Sequence, residues 1–379
     1  MSYKKLGDYI RKVDNRNKDL EVQTLLGVSN TKVLIPSIAN TIGTDMSKYK
    51  IIEKRQFAYG TITSRNGDRL SVAILDEYDK ALVSQIYIVF EVIDTEKLLP
   101  EYLMMWFMRP EFDRYARFHS HGSTREAFDW EDMCEVELPV PTIEKQREIV
   151  AQYQAVANKI KVNEQICEKL EATAQALYKH WFVDFEFPNE EGKPYKSSGG
   201  KMVWNEELEK EIPEGWKVGL LSDLISVKYG KDYKHLKEGK IPLYGSGGIM
   251  SYVNEVLYKG PSVLIPRKGS LNNILYVKNP FWSVDTMFYS IPKIDNVLNY
   301  VFNILSKLDF NSLNVGSAVP SMTTEYLNSM NVLIPKNEIL ASFEKEVNKI
   351  EDYKISNYNQ NQKLVQLQTL LLSRLARGN

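Results

Sequence analysis

One long segment with helical periodicity occurs twice in this chain, and the duplication constrains the fold more than any other feature. Its apolar positions recur every three or four residues from Ile149 onward, which is the spacing of a coiled-coil seam. Adding 194 to each number gives a second segment with the same steps. The predicted seam residues are Ile149, Tyr153, Val156, Ile160, Asn163, Leu170, Leu177, Trp181, Phe343, Val347, Ile350, Asn361, Leu364, Leu371 and Leu375.

The repeat also extends upstream of the two helical segments. Ser123 corresponds to Ser317 at the same offset, and Tyr102 corresponds to Tyr300 at an offset of 198. We expect two mixed α/β (α+β) domains in a pseudo-two-fold arrangement, separated by a long antiparallel two-helix coiled coil. The predicted segments are a first domain at residues 1–141, a first spacer helix at 142–187, a linker at 188–212, a second domain at 213–335 and a second spacer helix at 336–379.

Composition excludes several classes of protein. A length of 379 residues allows two or three domains, each large enough to bury a core. The chain has no apolar run of about eighteen residues and no signal-peptide stretch at its start, so a cytoplasmic location is predicted. Its two cysteines, Cys134 and Cys167, form neither a disulfide framework nor a metal-ligand set, and no metal is predicted.

The charge is nearly balanced, which bears on possible partners. A net charge of −1 argues against an unspecific binder of polyanions. Residues 1–141 carry 19 basic and 22 acidic side chains, whereas residues 213–335 carry 12 and 9. Contact with nucleic acid would therefore use local patches or the help of a partner subunit.

Local patterns predict the elements around the two long helices. Shorter helices are expected at residues 4–11, 98–107 and 298–308, and the first long helix is expected to continue until Pro188 forbids it. Residues 188–212 are interpreted as a polar surface linker with a short hairpin. Strands are expected at residues 32–35, 57–63, 71–75, 82–92, 136–140, 241–244, 262–266, 274–277 and 285–291.

The two long helices are expected to pair with each other, because each has a single apolar stripe. An antiparallel pairing about a two-fold axis places Asn163 opposite Asn361 and Cys167 opposite Asn357. The centre of the seam is then polar, and a buried asparagine layer fixes register at a cost in stability. The alternative is that the helices splay at mid-length and leave both asparagines exposed.

Two similar but non-identical globules held apart by a stiff spacer suit a two-part ligand. The seam residues from 149 to 181 span roughly 50 Å of helix, about one and a half turns of B-DNA at about 34 Å each. Identical halves read palindromes, so diverged halves in one chain should read two different half-sites separated by unread base pairs.

Several stretches carry a resemblance to the specificity subunits of type I restriction-modification systems. They lie at both ends of the first spacer helix, at the entry to the second domain and within that domain. The stretches are residues 138–149 (LPVPTIEKQREI), 176–185 (ALYKHWFVDF), 192–200 (GKPYKSSGG), 212–216 (IPEGW), 241–248 (IPLYGSGG) and 264–270 (LIPRKGS). Together they are specific for the family, although any one of them alone would be weak.

The resemblance implies two target-recognition domains and a DNA-binding chain with no catalytic residues of its own. It implies two partner methyltransferase subunits that methylate adenine, and two restriction subunits where the complex also cleaves. S-adenosylmethionine would belong to the partner, so no cofactor is expected here. The spacer helices would form the docking site for the methyltransferase as well as a ruler.

Polar and basic side chains on loops are the expected contacts with phosphates and base edges. For each of them an architectural role on an exposed turn is the alternative. Candidates in the first domain are Lys32, Arg65, Asn66, Arg69, His119, His121, Ser123, Thr124 and Arg125. Candidates in the second domain are Lys231, Tyr233, Lys234, His235, Tyr244, Ser246, Arg267, Lys268, Asn272, Asn273 and Ser317.

Two other classes of function remain as alternatives. A coiled-coil adaptor that joins two protein partners without binding DNA would suit the near-neutral charge. A methyltransferase would need an Asn/Asp-Pro-Pro-aromatic motif, and the nearest match, Asn279-Pro280-Phe281-Trp282, lacks the second proline. The chain also contains no phosphate-binding loop of the G-x-x-x-x-G-K-[ST] type.

Overall fold

The computed structural model divides the chain into two compact units. The first unit comprises residues 1–163 and 358–379, and the second comprises Glu164–Asn357. The residues that the structure describes are 3–38, 43–64, 69–122, 126–310, 312 and 321–376. Each unit contains one part of both long helices; the first unit is built from two separate pieces of the chain, and the second is one continuous piece.

The first unit contains two four-stranded sheets and a separate pair of short strands. Its strands are β1 Tyr3–Lys5, β2 Ile10–Val13, β3 Leu25–Val28, β4 Leu34–Pro36, β5 Lys50–Glu53, β6 Phe57–Tyr59, β7 Val72–Ile74, β8 Lys80–Val83, β9 Ile88–Val92 and β10 Glu137–Pro139. Its helices are α1 Pro100–Phe107, α2 Pro110–Phe118, α3 Trp130–Glu135 and the first part of α4 Ile143–Tyr178. Both α1 and α2 begin with proline, whose missing N–H is tolerated in the first turn of a helix.

The second unit contains a four-stranded sheet, a three-stranded sheet and two strand pairs. Its strands are β11 Met202–Asn205, β12 Lys210–Pro213, β13 Lys217–Leu220, β14 Ile225–Tyr229, β15 Glu238–Gly245, β16 Gly248–Val253, β17 Ser262–Pro266, β18 Leu275–Val277, β19 Trp282–Ser283, β20 Met287–Pro292 and β21 Asn331–Ile334. Its helices are the last part of α4, α5 Leu221–Leu224, α6 Leu298–Ser306, α7 Thr324–Asn328 and the first part of α8 Asn337–Leu375.

The same strand order appears in both units, so the duplication in the sequence is also a duplication of topology. The order β2-β9-β6-β7 in the first unit matches β14-β20-β17-β18 in the second, and every pair in both sheets is antiparallel. The other sheet of each unit contains one parallel pair, β3 with β8 and β15 with β19. The closing pairs β1 with β10 and β13 with β21 also correspond.

A buried tyrosine closes the core in the same way in both units. Tyr102 donates its hydroxyl hydrogen bond to the carbonyl oxygen of Pro139 at 3.1 Å. Its counterpart Tyr300 donates to the carbonyl oxygen of Leu333 at 2.5 Å. Both tyrosines are at most 2% exposed, and burial raises the pKa of Tyr102 to about 12. The two acceptors lie on the strands that lead into the long helices, so the tyrosines fix where those helices begin.

Three local predictions were wrong, each because tertiary contacts override local preference. Residues 4–11 are not a helix: Lys4 pairs with Leu138 in a strand ladder, Ile10 pairs with Val92, and only Leu6–Asp8 form a 3-10 turn. Residues 82–92 are two strands separated by a turn. Helix α4 ends at Tyr178 and passes into a π-helical turn at Lys179–Val183, before Pro188 is reached.

The predicted linker packs against the second unit. Strands β11 and β12 form an antiparallel hairpin within it. Tyr195, Met202 and Val203 pack against the core of the second unit, and Phe187 stacks on Tyr195 with ring centroids 4.5 Å apart. The segment is therefore attached to the second unit by aromatic packing. Helix α2 and strand β16 were not predicted.

Within the first unit the two long helices pair antiparallel. Val150 of α4 and Leu375 of α8 are buried in one hydrophobic core. The predicted facing pair is in hydrogen-bond contact: Asn163 Nδ2 donates to Asn361 Oδ1 at 2.8 Å and to Gln360 Oε1 at 2.7 Å. Asn361 in turn donates to the carbonyl oxygen of Ile160 at 3.3 Å. Asn163 is fully buried, which excludes the alternative of helices splayed at this point.

Within the second unit the other parts of the same two helices also pair. Trp181 and Phe343 lie with ring centroids 5.8 Å apart, in a core that also contains Val347. Nearer the middle of the helices the seam is polar, because the Lys354 ammonium contacts Glu171 and lies 2.9 Å from Glu351. In both units the predicted seam residues are buried or half-buried, and none of them is exposed.

The register of the first unit predicts a specific crosslink. We expect Asn163→Cys with Asn361→Cys, in a Cys167→Ser background, to form a disulfide on mild oxidation, because the native side chains are in direct contact and a disulfide tolerates only a short separation. The mispaired control Asn163→Cys with Gln368→Cys should stay reduced. A peptide map by mass spectrometry measures both. Equal crosslinking of the two pairs would contradict the register.

Candidate nucleic-acid interface

Lys32 is a buried structural residue, so the prediction that it contacts DNA is corrected. Its side chain is only 5% exposed and its ammonium lies 2.7 Å from Asp113 Oδ1, in contact with the carbonyl oxygen of Phe107. Burial lowers the pKa of the Lys32 ammonium, an effect that Asp113 opposes. The backbone of Lys32 is left-handed, with φ of 65°. The residue therefore fixes the turn between β3 and β4 onto helices α1 and α2.

A basic groove lies beside that turn in the first unit. Arg69, Arg114 and Arg117 line it together with Asn30 and Thr31 from the turn. All three arginines are exposed; Arg114 lies 3.3 Å from Glu111, and Arg117 lies 2.6 Å from Glu126. The groove also contains Phe118, whose ring is 82% exposed. Guanidinium groups with an exposed aromatic ring can contact phosphates, sugars and bases.

The two histidines of the first unit have different surroundings. His119 is half-buried, stacks on Tyr115 at 4.0 Å between centroids and has Nδ1 2.9 Å from the Tyr115 carbonyl oxygen. His121 is exposed, and its backbone forms two hydrogen bonds with Ala127. His121 is thus the freer of the two to meet a ligand. The candidates Arg65, Asn66, Ser123, Thr124, Arg125 and Ser317 lie outside the residues that the structure describes.

Trp282 anchors the basic and aromatic loop of the second unit. Its indole Nε1 donates to the carbonyl oxygen of Lys231 at 3.2 Å, and its ring lies 5.7 Å from that of His235. Tyr233 packs against the same small core. The side chains of Lys231 and Lys234 are exposed. The loop is thus fixed through its backbone while both lysines remain available to phosphates.

The turn between β15 and β16 meets a second loop of the same unit. Asn273 Nδ2 donates to the carbonyl oxygen of Ser246 at 2.8 Å, so its amide nitrogen is engaged within the protein. A methyl group added at Gly269 would lie 2.7 Å from Ser246 Oγ, and this glycine has φ of 86°. The positive φ favours glycine there, because other residues rarely adopt this backbone conformation. Tyr244 is half-buried, and burial raises its pKa.

Among the remaining candidate residues of the second unit, some side chains are exposed and others form contacts within the protein. Lys268 is exposed at the start of the loop. Arg267 is half-buried: it lies over the ring of Tyr229 at 5.5 Å and donates to the carbonyl oxygen of Asp285 at 3.1 Å. Asn272 Nδ2 donates to Asp309 Oδ1 at 2.9 Å, and Asn272 Oδ1 accepts from the backbone N–H of Phe310 at 2.9 Å. The structure thus gives Asn272 and Asn273 architectural contacts within the protein, and their contact with DNA stays a prediction.

Four segments of the second unit are brought together by these contacts and by two further backbone hydrogen bonds. Lys231 N donates to Ser283 O, and Val284 N donates to Tyr244 O at 3.0 Å. The group we call the second-unit loop cluster comprises residues 229–235, 244–250, 267–273 and 283–286. Sequence analysis identified most of these segments but missed the exposed strand β16 and, in the first unit, Arg114, Arg117 and Phe118 of α2. The amphipathic spacing of residues 110–118 was the signal that could have identified them.

The described residues offer no metal site and no membrane span. No group of three or more His, Cys, Asp and Glu side chains among them could hold a metal ion. In the same part of the chain, no helix is both long and apolar enough to cross a bilayer.

The fold defines a class of proteins in which one chain contains two similar α/β units and two long helices that pair with each other. The model of the type I restriction modification DNA specificity domain matches residues 5–172 and 213–367. The chain therefore belongs to this family of specificity subunits of type I restriction-modification systems.

Individual relatives extend over most of the chain. It is 28% identical over 318 residues to the MjaIX specificity subunit of Methanocaldococcus jannaschii, covering 76% of this chain and 70% of that protein. It is 22% identical over 427 aligned positions to the HindI specificity subunit of Haemophilus influenzae, covering 93% and 92%. Both are type I restriction enzyme subunits.

Solved structures share the fold at lower sequence identity. The S subunit of a type I restriction-modification system from M. genitalium superposes with a TM-score of 0.61 at 16% identity, covering 99% of this chain and 96% of that one. A chain from a study of assembly and conformational transition in a type I system gives a TM-score of 0.50 at 16% identity, covering 100% and 97%.

The burial of Lys32 predicts a loss of stability that a surface contact residue would not show. We expect Lys32→Met to lower the free energy of unfolding by about 3 to 5 kcal/mol, because it leaves Asp113 charged and buried without its partner. The exposed control Arg69→Met should change it by less than about 0.5 kcal/mol. Urea unfolding monitored by circular dichroism measures both. Equal and small effects would show that Lys32 is not structural.

Proposed function

We propose that this chain is a non-catalytic DNA reader that recognises an asymmetric bipartite site. The observation that carries the proposal is the presence of two units with one topology and different basic surfaces. The first unit presents arginines on a groove beside the β3–β4 turn, and the second presents lysines on loops anchored by Trp282. A common frame with different exposed side chains is what two readers of different half-sites require.

The chain would position the partner's catalytic residues on DNA. Two methyltransferase subunits that methylate adenine, and two restriction subunits in a cleaving complex, are the proposed partners, and S-adenosylmethionine would be bound by the methyltransferase. Exposed apolar side chains on α8 support a protein partner: Tyr358, Val365, Leu367 and Leu370 are each at least 43% exposed in the first unit. Apolar residues outside the seam of a helix pair favour docking of a further helix.

The same apolar side chains also favour the competing function, an adaptor that joins protein partners without binding DNA. The exposed lysines and arginines around the two reading surfaces favour the DNA reader, since an adaptor has no need of them. Binding of the assembled complex to duplex DNA, measured as a function of salt, distinguishes the two functions.

The proposed reader predicts two separable losses of DNA binding. In complex with the methyltransferase subunit, we expect Lys231→Ala with Lys234→Ala to weaken DNA binding and to reduce the slope of log K against log salt by about 2, since each phosphate contact contributes about 0.9. Arg69→Ala with Arg114→Ala should do the same through the first unit.

The control uses two other exposed lysines of the second unit. Lys196→Ala with Lys217→Ala should leave affinity and salt slope unchanged. DNA binding by fluorescence anisotropy at several salt concentrations provides the measurement. An unchanged slope in both basic variants would reject DNA contact by these surfaces, and no measurable binding by the wild-type complex would favour the adaptor.

A further inference from the structure

We propose that the β15–β16 hairpin of the second unit enters the major groove of DNA, where Ile249 and Met250 contact the methyl groups of thymines. The inference deepens the proposed function and rests on it. It assigns base reading to an apolar strand that the sequence analysis did not include among its candidates.

Strand β16 projects from the protein along most of its length. Ile249, Met250 and Tyr252 are 52%, 53% and 52% exposed, whereas Val253 at its base is 5% exposed. Consecutive residues point to opposite faces of a strand, so exposure of neighbours means that neither face is covered. β16 is also the edge of its sheet, since its ladder partner is β15. A projecting edge strand rich in apolar residues is normally avoided unless it binds something.

The turn of this hairpin is held in place from both sides. Asn273 donates to the carbonyl oxygen of Ser246, and Gly269 lies against the side chain of the same residue, since a methyl group added there would be 2.7 Å from Ser246 Oγ. A methyl group added at Gly245 would lie 2.5 Å from the sulfur of Met250, so Met250 packs across the hairpin. An anchored hairpin loses little conformational freedom on binding, which favours specific recognition.

The charge around the hairpin matches DNA better than it matches an apolar protein. Lys240 lies on β15 itself, and Lys268 directly precedes Gly269, which contacts the turn. Lys231 lies two residues after β14, the strand that pairs with β20. All three lysines are exposed. A two-stranded ribbon fits a major groove about 12 Å wide, where the thymine methyl group is the apolar feature of the base edges. Lysines on its flanks would meet the phosphates on either side.

The first unit has a hairpin in the same topological position with different side chains. Strands β3 and β4 form it, and β3 pairs in parallel with β8 as β15 does with β19. Val33, directly before its edge strand β4, is 46% exposed, and Ile35 on β4 is 45% exposed. Its turn is anchored by Lys32, in contact with Asp113 and Phe107. Lys32 is therefore a positioning residue for this hairpin, as Asn273 is for the other.

The test removes the thymine methyl groups and the apolar side chains separately and together. The assembled complex with its methyltransferase subunit is titrated with duplexes that carry its own methylation motif, with thymine or with uracil in the half-site read by the second unit. That half-site is identified as the one whose backbone loses protection from hydroxyl-radical cleavage in the variant Lys231→Ala with Lys234→Ala, because these lysines are proposed to contact phosphates there. We expect uracil to weaken binding by the wild-type complex about fourfold for each methyl group contacted.

The double variant Ile249→Ala with Met250→Ala should bind thymine DNA as weakly as the wild type binds uracil DNA. It should show no further loss with uracil, because the contact is already absent. The control Trp204→Ala with Leu220→Ala removes two other exposed apolar side chains of the second unit, which are 58% and 40% exposed. This control should retain the wild-type preference for thymine.

Three outcomes would overturn the inference. The first is that the wild type binds uracil and thymine duplexes equally, the second is that the half-site contains no thymine, and the third is that the double variant loses the methyltransferase subunit in addition to the first result. The last result would make the hairpin a protein interface. If the lysine variants reduce DNA binding while the hairpin variant does not, the proposed function stands and only the hairpin inference fails. If neither affects binding, both fail.

Discussion

The pairing of α4 with α8 is the interaction on which both units depend. The core of the first unit is closed by Val150 and Leu375, and that of the second by Trp181 and Phe343. The first unit is therefore built from two separate segments of the chain, whereas the second is the continuous segment Glu164–Asn357, whose two ends supply the paired helices. The buried asparagine layer of the first unit costs stability compared with an apolar layer, but it penalises every other register because it would then lose its hydrogen-bond partners.

The duplication in the sequence was sufficient to predict the long helices, their antiparallel pairing and two mixed domains. Periodicity identified the seam because an apolar stripe on a long helix has few uses other than pairing. The sequence did not reveal that residues 4–11 enter strand ladders or that Lys32 is buried against Asp113. Both depend on partners more than seventy residues away, which no local pattern encodes. Candidate contacts on loops were harder to assign, since an asparagine such as Asn273 suits a base edge and a backbone carbonyl equally well.

Each unit combines a fixed frame with an exposed surface that has diverged. The tyrosine hydroxyl bonds, the strand order and the parallel strand pair are the same in both units. The exposed residues differ: arginines line the groove of the first unit, and lysines surround the hairpin of the second. Substitutions of buried frame residues disturb packing, whereas substitutions of solvent-exposed residues do not. The two units can therefore hold different recognition residues without any change of fold.

The motif methylated in DNA tests the central claim most directly. Single-molecule sequencing of modified bases would compare DNA from cells that express this chain with its methyltransferase subunit and DNA from cells that lack this chain. The account predicts methylated adenines in two short, different DNA sequences that are separated by unspecified base pairs. It also predicts that this methylation disappears when the chain is absent. A continuous palindromic motif, or a motif that persists without this chain, would contradict it.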